Sequence, residues 1–341
     1  MSDAVLDFAG RLRRFDRVVL GSILLILGIA LFAPTQLADS LTFAARAVLF
    51  VAPFILFSVM AAGAAKATGM DQQIARVMSG NAATMIIVAA FFGALSPFCS
   101  CGVIPLIAAL LAAGVPLAPV AAFWIASPLM SIEKYVLASA IFDPQFATIY
   151  LGTAIVAGLG AGFATHLAVK RGAFRNVLRD GVVSGCAVNA LKKDAPVVWS
   201  FWHEKDRRLL FSDTALSSAK FLFKWLTLAF LIESLMVAWL PPETVGQVLG
   251  GDAWWTVPAS TAVGIPAYLN GFAALSLVSR LVEMGATPAA ALAFLTAGAV
   301  TSIPAAMGVF ALVRKAVFAW YLALGLSFSL AAGFAYQLIL G

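Results

Sequence analysis

Apolar runs of about 20 residues follow one another almost from end to end of this chain, at 18–33, 41–65, 82–113, 119–142, 146–169 and 215–240, and then on to the C-terminus. A helix of about 20 residues covers roughly 30 Å, the thickness of a bilayer's hydrocarbon. No soluble domain fits between the runs, which predicts an all-α polytopic membrane protein of about 8–10 membrane segments. Composition agrees, with 62% of the 341 residues hydrophobic and 11% charged and a mean hydropathy of +0.98. The net charge of +6 would suit nucleic acid, but the basic residues sit at segment ends and in one loop, which reads as topology. The expected partners are the lipid bilayer and a small-molecule substrate, with no nucleic acid; a homo-oligomer is compatible with the sequence.

Arg11, Arg13, Arg14 and Arg17 precede the first apolar run, and the short loop expected after it at 34–40 carries no Lys or Arg. That asymmetry places the N-terminus in the cytoplasm. The run ends without a small-x-small cleavage site, so it reads as a retained first transmembrane helix. The one long polar stretch holds Lys170, Arg171, Arg175, Arg179, Lys192, Lys193, Lys205, Arg207 and Arg208 against Asp180, Asp194, Glu204 and Asp206, again a cytoplasmic signature. The chain divides accordingly into an N-terminal cytoplasmic segment and first helix (1–40), a first repeat (41–169), a cytoplasmic linker (170–212) and a second repeat (213–341).

The repeat rests on interruptions. The run 82–113 is broken at Ser96-Pro97-Phe98-Cys99-Ser100-Cys101-Gly102-Val103-Ile104-Pro105, where two prolines and a glycine deny the helix its hydrogen bonds and its stiffness. In the second half Pro266-Ala267-Tyr268-Leu269-Asn270-Gly271 stands in register with it. A second interruption, Ser127-Pro128-Leu129-Met130-Ser131, matches 298–302, with Pro304 close by. Both units start and finish on sides that require an odd number of crossings, so the copies are expected to be inverted in the membrane. One break per unit must then turn back on itself, and the segment 97–102 is the expected re-entrant one. Paired broken helices at matching positions of two repeats are where transporters place their sites; the competing reading is that the prolines only kink ordinary helices.

Cys99 and Cys101 fall on one side only if the segment is extended or turned. Thiolates there suit monovalent copper, zinc or a trivalent arsenical, against the reading that membrane cysteines simply pack. Tyr268 and Asn270 hold the matching positions of the second break, so soft-ligand chemistry is asymmetric. The substrate-binding set is Cys99, Cys101, Ser100, Pro97, Gly102, Tyr268 and Asn270. Glu233, deep in its span, is a proton-coupling candidate because an intramembrane carboxylate is costly; Glu133, beside Lys134 after the second interruption, is another, with interfacial snorkelling as its alternative. Asn81, Ser127 and Ser131 either line a cavity or cap helices. Cys186 in the linker reads as incidental. His166 and His203 lack ligands at metal spacing, and no nucleotide, phosphate or triad motif is present; no metal, cofactor or enzymatic role is expected.

Around Ser96-Pro97-Phe98-Cys99-Ser100-Cys101-Gly102-Val103-Ile104-Pro105-Leu106 the chain resembles the predicted permeases related to ArsP, the organoarsenical efflux permeases, and the likeness extends through Gly264-Ile265-Pro266-Ala267-Tyr268 and Thr301-Ser302-Ile303-Pro304. The resemblance implies a multi-pass permease of a bacterial inner membrane, with members that export trivalent methylated or aromatic arsenicals, and it gives Cys99 and Cys101 the role of contacting arsenic. Combined with the broken helices, it implies a secondary transporter working by alternating access. Two alternatives stay open: a permease for another sulfur-containing or metal solute, and a membrane thiol-disulfide oxidoreductase. The second is disfavoured by a C-x-C spacing and a cysteine-free second break.

Overall fold

The computed structural model describes residues 17–70, 80–96, 100–174, 176–179, 198–239, 253–268, 271–283 and 285–340. Helices account for nearly all of it: α1 (Arg17–Phe32), α2 (Pro34–Thr68), α3 (Ala82–Leu95), α4 (Ser100–Ala112), α5 (Leu117–Leu129), α6 (Ile132–Ile141), α7 (Pro144–Lys170), α8 (Lys205–Trp239), α9 (Thr256–Ala267), α10 (Gly271–Glu283), α11 (Pro288–Thr301), α12 (Ile303–Leu312) and α13 (Lys315–Leu340). Five stretches are long and apolar enough to cross a membrane: Leu117–Ile141, Pro144–Lys170, Lys205–Leu235, Pro288–Leu312 and Lys315–Leu340. A sixth is α2, bent by 41° at Pro53, and three shorter apolar helices cover Val18–Phe32, Ala82–Leu95 and Val103–Ala112. The expected loop at 34–40 is instead the opening turns of α2, because Pro34 occupies the first helical position, where its missing N–H costs nothing.

Local chemistry sets the helix ends. Asn81 caps α3 by accepting from Ala83 N, and Ser131 caps α6 by accepting from Lys134 N. Asp143 caps α7 through Phe146 N with Pro144 behind it, and Thr287 with Pro288 does the same for α11. The succession α3 to α7 is matched in order and closely in length by α9 to α13.

Every residue of α5, and every residue from Ala289 to Thr301 in α11, is buried. Helices apolar on all sides belong in the middle of a bundle, and these two form its centre. Small side chains let the neighbours come close. A Cβ on Gly93 would stand 2.8 Å from the Phe123 carbonyl oxygen, and one on Gly264 would stand 2.7 Å from that of Phe294. Gly162 lies against Ile86 and Ala122, and Gly333 against Val257 and Ala293. Each pair in the second half repeats its counterpart in the first.

These contacts also fix direction. Ile86 meets Gly162, Ala90 meets Gly158, and Ala122 touches Gly162 while Phe123 and Ala126 touch Gly93; Ser96 and Ser127 then share a hydrogen bond of 2.8 Å. So α3 runs parallel to α5 and antiparallel to α7. After α4 the chain turns at Gly114, whose φ of +87° suits glycine, and enters the start of α5. Helix α3 therefore begins, and α4 ends, at the same end of the bundle. At 14 and 13 residues, or roughly 20 Å each, they form a hairpin whose apex lies inside. Gly285 (φ +101°) returns α10 to α11 in the same way.

Helices α7 and α13 run in opposite directions. Phe146 near the start of α7 sits 6.3 Å, ring to ring, from Tyr336 near the end of α13. At the other end, Trp320 Nε1 donates to Thr165 Oγ1 at 3.0 Å. Helices α2 and α8 also pair antiparallel, with Gly63 against Phe211 and Arg207 Nη1 donating to the Ala67 carbonyl at 2.7 Å. The linker's described ends are pinned to one end of the bundle: Val198 N donates to Thr68 O, Arg179 N to Leu312 O and Arg314 N to Val177 O. Arg179 also lies over the Phe310 ring at 4.2 Å. The end of α2, the end of α7, the start of α8 and the α12–α13 corner thus share a side.

Candidate functional site

In each half the hairpin apex is packed against the interruption of the following span. In the first, Ser96 is buried at the end of α3, donating to Gly93 O at 2.8 Å and bonded to Ser127, itself fully buried. In the second, the Tyr268 side chain, 5% exposed, lies across Gly298 so closely that a Cβ there would fall 2.4 Å from its atoms. Gly298 is the counterpart of Ser127. The hydroxyl pair of one half is replaced by a ring on a glycine in the other.

The halves meet through exchanged contacts. Tyr150 of α7 donates to the Leu295 carbonyl of α11 at 3.4 Å, while its counterpart Tyr321 of α13 stacks on Trp124 of α5 at 5.0 Å. Trp124 and Leu295 are themselves counterparts. Tyr321 also donates to the Val300 carbonyl. Helix α4 packs on α12 as α6 packs on α10, and Gly308 accepts Ile104 where a Cβ would clash. Such reciprocity is what a two-fold relation between two copies produces. Sequence reading missed Tyr150 and Tyr321, although their matched positions in the aligned halves were the available signal.

The predicted site residues fare differently. Ser100, Cys101 and Gly102 open α4, directly after the apex, while Pro97, Cys99 and Asn270 lie outside the described residues, as does Cys186. Tyr268 is at the second apex as expected. Ser127 joins the first, but Asn81 and Ser131 serve as helix caps. Glu133 is exposed in the first turn of α6, where the helix dipole favours a carboxylate; neighbouring Lys134 donates from Nζ to the Pro128 carbonyl at 2.6 Å. Glu233 is 2% exposed, and its Oε2 has no hydrogen-bond partner among the described residues. It is on the floor of a pocket of about 460 Å³ between α2 and α8, lined also by Asp39, Thr42, Arg46 and Phe230. No described residue of either hairpin apex lines it. No group of three or more metal-binding side chains occurs among the described residues.

Geometry of this kind offers backbone and hydroxyl groups within an apolar helical bundle. The profile of the predicted permease family ArsP_1 covers residues 36–338. The UPF0718 protein MJ0584 of Methanocaldococcus jannaschii is 28% identical over 153 residues, which is 45% of this chain and 42% of that protein. The UPF0718 protein YcgR of Bacillus subtilis is 37% identical over 79 residues, 23% of this chain and 27% of its own. The chain spans less than half the length of either relative. No solved structure matches it significantly. With a nearly all-helical bundle and a family match across most of its length, the chain belongs to the predicted permeases.

Proposed function

We propose that this protein is a secondary transporter that exports a thiophilic small solute, trivalent organoarsenicals foremost, by alternating access of two inverted repeats, 41–169 and 213–341. The observation that carries the reading is the pairing of each hairpin apex with the break beside it, Ser96 with Ser127 and Tyr268 with Gly298. Irregular backbone at membrane depth persists where it lines a cavity or is covered by protein, and such breaks hold transporter substrates. The opposed directions of α7 and α13 and the exchanged Tyr150 and Tyr321 contacts support inversion.

In this reading Cys99 and Cys101 bind the cargo at the first apex, with Pro97, Ser100 and Gly102 freeing the backbone around them and Tyr268 and Asn270 facing from the second. Soft thiolate bonds exchange quickly by attack of one thiolate on another's partner, so cargo is held selectively and still released. Glu233 carries the coupling proton, with Glu133 a second carboxylate near the first unit's break. The basic linker puts its end of the bundle, with the N-terminus, in the cytoplasm of a bacterial inner membrane. Replacing Cys99→Ala together with Cys101→Ala is expected to abolish resistance to trivalent organoarsenicals in a sensitive host at unchanged membrane expression. Undiminished resistance in that variant rules out the thiol role.

A further inference from the structure

The pocket beneath Glu233 is built differently from the apices. Its floor is Glu233 and Phe230, at 2% and 5% exposure; its rim is Asp39, Arg46 and Phe50, all exposed. Asp39 and Thr42 stand in the opening turns of α2, and Glu233 in the last two turns of α8. Both positions are at the end of the bundle away from the linker, which is tied to Ala67 and Thr68 at the far end of α2. The pocket therefore lies toward the end of the bundle opposite the linker.

Among the described residues its charges are few. From α2, Asp39 and Arg46 face it. The described parts of α9 and α12, which also pack on α8, carry no charged residue, α1 has only Arg17 at its start, and α8's own Lys220 and Lys224 are more than two turns from Glu233. With Glu233 protonated the group Asp39, Arg46 and Glu233 is neutral; with it ionised the group carries one net negative charge. A buried carboxylate with an unpartnered oxygen is costly when ionised, and a proton arriving through the mouth relieves that cost.

We propose that the α2–α8 pocket is a water-filled vestibule, open on the face away from the linker, through which protons reach Glu233 by a route separate from the cargo path between the hairpin apices. A proton passes from a water at the mouth to an Oε atom of Glu233, one O–H bond breaking as the other forms. The placement rests on geometry alone. Its use in driving export rests on the transporter reading.

Ala47 lines the pocket, and Ala47→Cys in the full-length protein supplies the probe, with labelling at residue 47 read by peptide mass spectrometry. Membrane-impermeant thiosulfonate reagents, one cationic and one anionic, are applied to intact cells and to inside-out vesicles, with native Cys186 in the linker as the marker of the opposite side. The expected result is labelling at residue 47 only from the side where Cys186 is not labelled. The cation-to-anion rate ratio, in which thiol ionisation cancels, is expected to rise about tenfold as pH increases and Glu233 ionises, as one added unit charge at close range would cause. The rise should vanish in Ala47→Cys with Glu233→Gln and persist with Glu233→Asp, each checked for a monodisperse elution profile. Labelling from the Cys186 side, no labelling from either side, a flat ratio in the parent, or a ratio set by sodium at constant pH overturns the proposal. None of these outcomes depends on what the cargo is.

Discussion

Single methylenes decide how closely the two central helices are approached. Gly264 packs on a main-chain oxygen, which cannot swing aside as a side chain can, so Gly264→Ala is expected to destabilise the bundle by about 1–3 kcal/mol, measured by unfolding in mixed micelles. Where the first half has Gly158 against the Ala122 carbonyl, the second has Ser329, which donates to the Ala293 carbonyl at 2.7 Å and bonds Thr261 Oγ1 at 3.0 Å. Ser329→Ala strands the Thr261 hydroxyl and is expected to cost about 1–2 kcal/mol by the same measurement. Residues whose role is set within a few positions, such as the capping Asn81 and Ser131, were legible as either caps or lining groups, and only packing chose between the two. Asp39 and Arg46 were not legible as pocket residues, because what faces Glu233 depends on how α2 lies along α8.

Proline and glycine act through backbone hydrogen bonds and φ angles, which are local, and the breaks at both hairpins were accordingly readable from sequence. Parity required one re-entrant segment per unit without saying which; it is the parallel run of α3 beside α5 that makes the α3–α4 pair a hairpin. The loop expected at 34–40 failed for an equally local reason, the fitness of Pro34 for a first helical turn. Opposed running of α7 and α13 can be tested by cross-linking. Thr165→Cys with Trp320→Cys should be joined by a short bis-maleimide, and Thr165→Cys with Tyr336→Cys should not, since residues 320 and 336 are separated by roughly 24 Å of helix. Efficient joining of the second pair alone would mean that the two helices run the same way.

For the whole molecule the proposal turns on the two halves facing the membrane in opposite senses, a reading supported by the opposed running of α7 and α13. Under the proposal, two copies so arranged would have nearly equal packings in which the central gap opens to either side, the condition for moving cargo without a permanent pore. In that reading the departures from symmetry would carry the specificity: thiols at one apex, Tyr268 and Asn270 at the other, and a carboxylate pocket between α2 and α8. The measurement closest to this claim uses two counterpart positions, Gln145 at the start of α7 and Ala316 at the start of α13, both exposed. Each is changed to cysteine in the full-length protein and labelled with an impermeant reagent in intact cells and inside-out vesicles. Inverted copies predict Gln145→Cys labelled from outside and Ala316→Cys from the cytoplasmic side, whereas labelling of both from one side would contradict the account.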